Sequence, residues 1–406
     1  MNILLISDNF YPEANAPSIR GFEHSKEWVK LGHRVSVITC APNFPEGRVH
    51  FGYKNHWFKR EEIDGIQIFR VKTFITSNSG TFLRTLDYLS FMASSFFFGL
   101  FIKRPDIVIG TSPQFLTILS AFLLSKIKRS KFVFELRDLW PDSLTELGVM
   151  KENIIFRFLS WLELYLYKKA DLIISVTTSF VEVLVARGVK EEKIKVIYNG
   201  ANLSRVKYLP KSESILSDDI LRSKKFIAGY VGTLGMSHGL ETIIEAAELL
   251  SSYNDIGLVI VGSGSEKRRL LDQKLEKNLN NLFFIEKQHP NDIDKVWAAC
   301  DVSLVMLRNL IIFKTVIPSK IFESLASETP IIISAPDGEA KKIIERYTLG
   351  ISCPPENPEE LATTILRLRN NHHELNTLRK NCAENKYLFD RTVLAKEMLG
   401  FLKKIL

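Results

Sequence analysis

The chain has 406 residues, 46% of them apolar and 25% charged, and contains no low-complexity tract. It is too long for one core and too apolar for a disordered chain, so two domains of roughly 200 residues each are expected. The net charge is +8, and residues 1–200 carry 26 Lys and Arg against 20 Asp and Glu, yet no dense basic stripe or nucleic-acid module is present, which argues against a nucleic-acid partner.

The opening MNILLISDNF reads as a strand over Asn2–Ser7 running into an acidic turn, without the basic segment and cleavage site of a secretory leader. Cys40, Cys300, Cys353 and Cys382 stand far apart, which excludes a metal knuckle or redox pair and fits a reducing cytoplasm. After the loop DNFYPEANAPSIRG comes a helix to Leu31 capped by Gly32, then a strand at Val35–Thr39: a βαβ opening of the doubly wound kind. The loop lacks GxGxxG, which argues against a nicotinamide or flavin site. Asp8, Asn15 and Arg20 are placed at its mouth, where lone polar residues are either solvated or part of a site.

Tyr88–Ile102 is an uncharged run of 15 residues, about 22 Å as a helix and short of a bilayer core of about 30 Å. It reads either as a buried helix or as one dipping into a leaflet, with Lys103-Arg104 and KIKRSK at 126–131 suited to anionic headgroups. A strand at Ile107–Gly110, a helix after Pro113 and a strand at Lys131–Leu136 follow. Arg137 and Asp138 fall just past that last strand, where open α/β sheets bind ligands. Arg137 and Asp138 are thus catalytic candidates, Asp138 as a catalytic or substrate-orienting carboxylate whose alternative is a turn acid ahead of Pro141. Helical residues to Lys169, a strand at Asp171–Val176, another helix and a strand at Lys195–Tyr198 complete the first sheet.

Asn199-Gly200-Ala201-Asn202 is a turn signal, and the polar, weakly periodic Leu203–Lys225 marks the domain boundary. The second series opens with a strand at Phe226–Val231 and a glycine-rich loop at 232–239 whose amides could approach an anion. A helix to Leu250 follows, then a strand at Leu258–Val261 with Gly262-Ser263-Gly264, read as a tight turn. Strands at Leu282–Ile285 and Asp301–Met306, with a helix from Asn291 between them, lead to IPSKIFESLASETPIIIS at 317–334. There Pro318 suits the first helical position, Ile321/Leu325 and Phe322/Ala326 form an apolar stripe, and Ile331-Ile332-Ile333 is a buried strand. Lys320, at the positive helix end, suits a phosphate, and Glu323 can accept from both hydroxyls of a ribose. The competing reading is a solvated surface pair. Helical segments at Gly338–Arg346 and from Glu359 onward, the last over Thr392–Leu406, close the chain.

In order and spacing these elements resemble the retaining glycosyltransferases of family four, over nearly the full chain. PSKIFESLAS with TPII resembles that family's nucleotide-sugar helix, YNGAN its domain-crossing strand, and VIVGSGSEKRRL its second turn in the C-terminal domain. YPEANAPSIRGFEHSKEWVKLGHRVSVIT, PNFPEG at 42–47 and RDLWPDSL resemble the branch that builds surface polysaccharides, notably O-antigen amino-sugar (fucosamine-type) transferases. The resemblance implies the GT-B fold: two Rossmann-like, doubly wound parallel-sheet α/β domains facing across a cleft. Residues 1–200 would bind the acceptor and 201–385 the nucleotide sugar, with 386–406 a C-terminal helix returning to the N-terminal domain.

By the same resemblance Glu323 holds the ribose hydroxyls, Lys320 and Ser319 at the helix start face the diphosphate, and Asn199, a further donor-nucleotide candidate, lies with Gly200 at the crossover. There are departures. The first motif glutamate falls at Thr315, the phosphate-binding Arg and Lys fall at Thr233 and His238, and the first glycine pair falls at Ala16-Pro17. Lys320, Thr233, Gly235 and Arg137 are the candidates to supply the missing charge and donors. Thr315, His238, Asn15 and Arg20 are those for the donor sugar or acceptor. The implied activity is transfer, with retention, of an N-acetylated amino or deoxy sugar from a UDP-sugar to an undecaprenyl-diphosphate-linked saccharide. It would need no cofactor and no metal, and would take place on the anionic cytoplasmic face of the inner membrane, with the protein cytoplasmic and peripheral. A nucleotide-sugar epimerase or hydrolase of the same fold, and a sugar-binding protein without chemistry, are the alternatives.

Overall fold

The computed structural model describes residues 1–76, 81–142, 153–217 and 223–406. Ser143 and Leu144, which end the RDLWPDSL run, and the first part of the helical stretch expected before Lys169 lie outside these residues. The chain divides into two units, Met1–Asn199 with Arg391–Leu406, and Gly200–Asp390.

The first unit is built on β1 (Asn2–Ile6), β2 (Arg34–Thr39), β3 (Phe58–Ile63), β4 (Ile66–Val71), β5 (Ile107–Thr111), β6 (Lys131–Leu136), β7 (Leu172–Ser175) and β8 (Ile194–Val196). Their order across the sheet is β3-β4-β2-β1-β5-β6-β7-β8. The central strands are apolar runs because both of their faces are covered. On one face the helices Thr81–Gly99, Phe115–Lys128 and Ile154–Lys169 pack around Phe91, Ile118, Phe132 and Leu166. On the other, the helices Ala16–Lys30 and Arg391–Lys404 pack Trp28, Leu394, Met398 and Leu402 onto Leu5, Val37 and Ile109. Trp28 Nε1 donates to the Ala395 carbonyl at 2.8 Å, tying the returning C-terminal helix to its neighbour.

Three features of this unit differ from the sequence reading. The helix begins at Ala16, inside the expected loop, because the Asn15 side chain accepts from the Ser18 amide at 2.9 Å and caps it. Asn15 is therefore a helix cap. The β3–β4 hairpin was not anticipated. Its Asp64-Gly65 turn has positive φ at both residues, 50° and 77°, as a two-residue hairpin turn demands. β3 carries Lys59, Arg60, Glu61 and Glu62, charges suited to an edge strand but unlike a core one. Finally, the Tyr88–Ile102 run is core on one side only. Phe91 is buried and Ser95 bonds Ser120, while Phe97 and Phe101 are 54% and 75% exposed.

The second unit carries β9 (Phe226–Val231), β10 (Ile256–Val261), β11 (Leu282–Ile285), β12 (Val302–Met306), β13 (Ile331–Ser334) and β14 (Gly350–Cys353). The order is β11-β10-β9-β12-β13-β14, and neighbouring strands pair in parallel. β14 was not anticipated, being four residues long and only partly apolar. The turn Lys386–Phe389 stays with this unit, where Phe389 packs against Phe322 with ring centroids 5.3 Å apart.

Arg20 does not line a loop mouth. It is 1% exposed and fully engaged: Nε meets Glu135 at 2.8 Å, and its two terminal nitrogens donate to the Tyr198 and Ile197 carbonyls at 2.5 and 3.1 Å. Burial pushes the Glu135 carboxyl upward, but Arg20 and Arg137 more than offset this and hold it below its ordinary range. Removing the arginine alone leaves a buried carboxylate without its closest cation. Arg20→Ala is therefore expected to lower unfolding stability in urea by about 3–5 kcal/mol. The pair Arg20→Met with Glu135→Leu is expected to recover most of that loss, and urea melts of the two variants check both statements.

Candidate functional site

In the second unit the helix Ser319–Ala326 starts beside the loop that leaves β9. Pro318 sits one position earlier than the sequence reading placed it, at the helix cap, and offers no side chain to the first amides. The Ile321 amide donates to the Pro318 carbonyl at 3.1 Å, which leaves the amides of Ser319 and Lys320 for a ligand or water. Lys320, the second helical residue, is 8% exposed, so the solvated-pair reading does not hold for it. Its ammonium donates to the Tyr230 hydroxyl at 2.6 Å and lies 3.9 Å from the centre of that ring. Tyr230 in turn donates to the Thr233 carbonyl at 2.7 Å. Burial drives Lys320 down to about 7, with Glu323 opposing, so the group is poised to change charge near neutrality.

This approach depends on Gly232. At φ 144°, a Cβ there would stand 2.5 Å from Lys320 Cε. Gly232 also receives the second glycine turn: a Cβ on Gly262 would lie 1.9 Å from the Gly232 carbonyl oxygen. The GSG segment thus serves loop-to-loop packing. The amides of Gly232 and Leu234 donate to the Val261 and Ser263 carbonyls, so these two are not available to an anion.

The remaining candidates in this unit lie on the loop that leaves β9, on the helix Ser319–Ala326 or just before it. Thr233 is exposed, and Gly235 caps the short turn Met236–His238. His238 Nδ1 lies 3.2 Å from the Met306 carbonyl, and burial, reinforced by Lys320, pulls the imidazole down to about 4. It is a neutral group at physiological pH. Glu323 is half-buried one helical turn beyond Lys320. Ser324 and Ser327 are buried, with Ser324 bonding Ser303 at 2.6 Å and the Lys320 carbonyl at 2.8 Å. Ser319 is half-buried at the helix start, and the Thr315 hydroxyl donates to the Ile312 carbonyl at 3.1 Å, closing its own turn. Tyr230 escaped the sequence reading because it alternates with core residues along a buried strand. The glycine two residues on was the available signal.

In the first unit Arg137 and Asn199 come together, with Arg137 Nη2 3.5 Å from Asn199 Oδ1. The Arg137 amide is fixed by Ser112 Oγ at 2.8 Å, and the Asn199 carbonyl accepts from Arg391 at 3.0 Å. Burial draws Arg137 below the usual guanidinium range; Glu135 opposes this, and Arg20 and Arg391 add to it. Asp138 is half-buried next to Arg137, and its carbonyl accepts from the Trp140 amide at 3.2 Å. Trp140 stacks on Phe115 at 4.7 Å. Asp8, placed at the loop mouth by the sequence, accepts from Gln114 and is pushed up to about 8 by burial and then by Asp87 and Glu13. Asn15 and Arg20 join neither group, since one caps a helix and the other anchors the end of β6.

Comparison with known proteins fits this division of the chain. Residues 22–205 match the model "Glycosyltransferase Family 4", and residues 213–389 match "Glycosyl transferases group 1". WcaI of Escherichia coli (strain K12), a glycosyl transferase named for colanic acid biosynthesis, is 26% identical over 90% of this chain and 91% of its own length. WbjE of Pseudomonas aeruginosa, named as a glycosyltransferase, is 28% identical over 65% of this chain and 66% of its own. Among solved structures, Anabaena Alr3699/HepE in complex with UDP superposes with a TM-score of 0.72 at 17% identity, covering all of both chains, a likeness of fold. With the sheets described above, these matches make the chain a glycosyltransferase of the family 4 and group 1 type, built on the GT-B fold.

Proposed function

We propose that the chain transfers an N-acetylated amino or deoxy sugar from a UDP-sugar to a lipid-diphosphate-linked saccharide, with retention, in the assembly of a surface polysaccharide. The observation that carries this reading is the buried Lys320 ammonium at the uncapped start of the helix Ser319–Ala326, with Glu323 one turn further on. A diphosphate at the helix start meets a cation and open amides, and a ribose meets an acceptor-only carboxylate. The UDP bound to the structural neighbour and the colanic acid role in WcaI's name support the choice of donor and pathway class.

In this reading the bond between the anomeric carbon and the diphosphate oxygen breaks as the acceptor hydroxyl bonds to the same face of that carbon. The hydroxyl proton passes to the departing phosphate oxygen. Charge grows on the diphosphate as the bond breaks, and Lys320 with the helix amides offsets it. Ser319, Thr233 and Gly235 line the diphosphate, while Thr315 and the neutral His238 face the sugar. Arg137, Asp138 and Asn199 form the acceptor side, Asp138 orienting the hydroxyl or steadying positive charge on the sugar ring. No metal is called upon. Retention is taken from the family resemblance, and the anionic inner-membrane surface follows from the lipid acceptor and the basic first unit. Among the described residues no helix is long and apolar enough to cross a membrane.

Supplying UDP-N-acetylamino sugars with a lipid-diphosphate-linked saccharide should give an extended glycolipid. Lys320→Met should lower its rate by roughly 100-fold or more, as removing one preorganised charge partner does. Release of free or epimerised sugar, with the glycolipid unchanged, would contradict the reading in favour of a hydrolase or epimerase. UDP affinity should also depend on pH in a defined direction. Bound phosphates favour the ammonium, so the Lys320 pKa in the complex lies above its value of about 7 in the free protein, and binding takes up a proton between the two. Affinity should therefore fall as pH rises above about 7, by up to roughly tenfold per pH unit, and the fall should vanish in Lys320→Met. Calorimetry in buffers of different ionisation enthalpy reads the proton uptake.

A further inference from the structure

The first unit holds a cavity of about 500 Å³ that the transferase reading does not use. Its lining comes from the amino ends of β1 and β2, the β3–β4 hairpin and the segment after the helix Thr81–Gly99. Arg137 and Asp138 lie past the carboxyl end of β6, so the cavity is at the opposite end of the sheet. Its volume is that of an ordinary small-ligand site. The floor is aromatic: Phe58 lies between Phe69 and Phe98, with ring centroids 5.9 and 5.1 Å away. The rim is cationic, formed by Arg34, Arg60, Lys103 and Arg104, and none of the described lining residues is acidic. Arg104 donates to the Arg129 carbonyl at 3.0 Å and Arg60 stands 5.9 Å from the Phe69 ring, but among the described residues none of the four is in a salt bridge.

Four like charges around an apolar floor repel one another, and an anion with an apolar portion relieves both the repulsion and the exposed floor. The surroundings narrow the choice of ligand. Phe97 and Phe101, 54% and 75% exposed, continue the aromatic surface outward from the rim, with Lys103-Arg104 directly after them. A soluble phosphate ester would leave those rings in water, whereas a lipid leaflet would cover them and place headgroups level with the lysine and arginines. We propose that this cavity binds the phosphate-bearing headgroup of an anionic lipid, with the start of its acyl chain on the Phe58, Phe69 and Phe98 floor. It is a second site, independent of the donor pocket, and shares with the transferase reading only the anionic membrane surface.

The test is a calorimetric titration of the full chain with three probes. They are a short-chain phosphatidylglycerol below its micelle concentration, phosphatidylcholine of the same chain length, and glycerol phosphate. The phosphatidylglycerol should bind at least roughly tenfold more tightly than either of the others, and the double variant Arg60→Glu with Lys103→Glu should weaken it by roughly tenfold or more. Equal affinity for phosphatidylcholine, or an unchanged affinity in the variant, would overturn the proposal. Glycerol phosphate binding as tightly as the lipid would overturn the lipid as ligand in favour of a soluble phosphate. UDP affinity, measured on the same samples, should be unaltered by the double variant. It reports the fold and the donor pocket separately, so a failure of the transferase reading appears in that measurement and a failure of the lipid site in the titrations.

Discussion

An ammonium taken out of water must be met by other groups, and in the second unit Tyr230 meets that of Lys320. The hydroxyl accepts the hydrogen bond at 2.6 Å, the ring face lies 3.9 Å from the charge, and the tyrosine proton goes on to the Thr233 carbonyl. One hydroxyl and one ring do not replace a hydration shell, and the depressed pKa records the shortfall. A cation held in this state gains from an incoming phosphate more than a solvated lysine would. The same constraint dictates the neighbouring backbone. Residue 232 must be glycine for the lysine stem to pass, and residue 262 must be glycine for its turn to close on the Gly232 carbonyl. Ser324 and Ser303, bonded beneath the helix, fix its height above β12.

The first unit has its own buried charge, solved differently. Arg20 and Glu135 satisfy each other, and the remaining arginine donors reach two carbonyls just beyond β8. The pair therefore joins the first helix, the end of β6 and the segment leading to Asn199. Arg137 follows β6 directly, so its position and that of Asp138 are set by this anchor. A fully matched pair of this kind stabilises position. The half-matched Lys320 is the arrangement suited to binding.

The fold class was legible because central parallel strands are written as short apolar runs between turn residues. Asn2–Ile6, Phe226–Val231 and Ile256–Val261 are all of this form. β3 was missed for the opposite reason: FKREEI is charged as an edge strand should be, and only the Asp64-Gly65 turn announced it. In the candidate site, residue types could be read but their burial could not. The surface-pair alternative for Lys320 stayed open because the tyrosine that buries it is 90 residues away in sequence. Arg20 looked like a loop residue because Glu135 is 115 residues away. Local spacing carries no information about contacts of that range. Asn15 was a cap hidden by the proline at 17, since the helix starts before the point where a loop was expected to end.

The central claim is that the start of the helix Ser319–Ala326 is a nucleotide site, with Glu323 on the ribose. Calorimetric titration of UDP into the natural protein and into Glu323→Ala tests it most directly. Loss of charge-assisted hydrogen bonds to ribose should cost about 1.5–3 kcal/mol, or roughly 10- to 150-fold in affinity. Binding of UDP by the natural protein with that loss in the variant is the predicted result. Equal affinity in the two proteins, or no binding of UDP by either, would contradict the account.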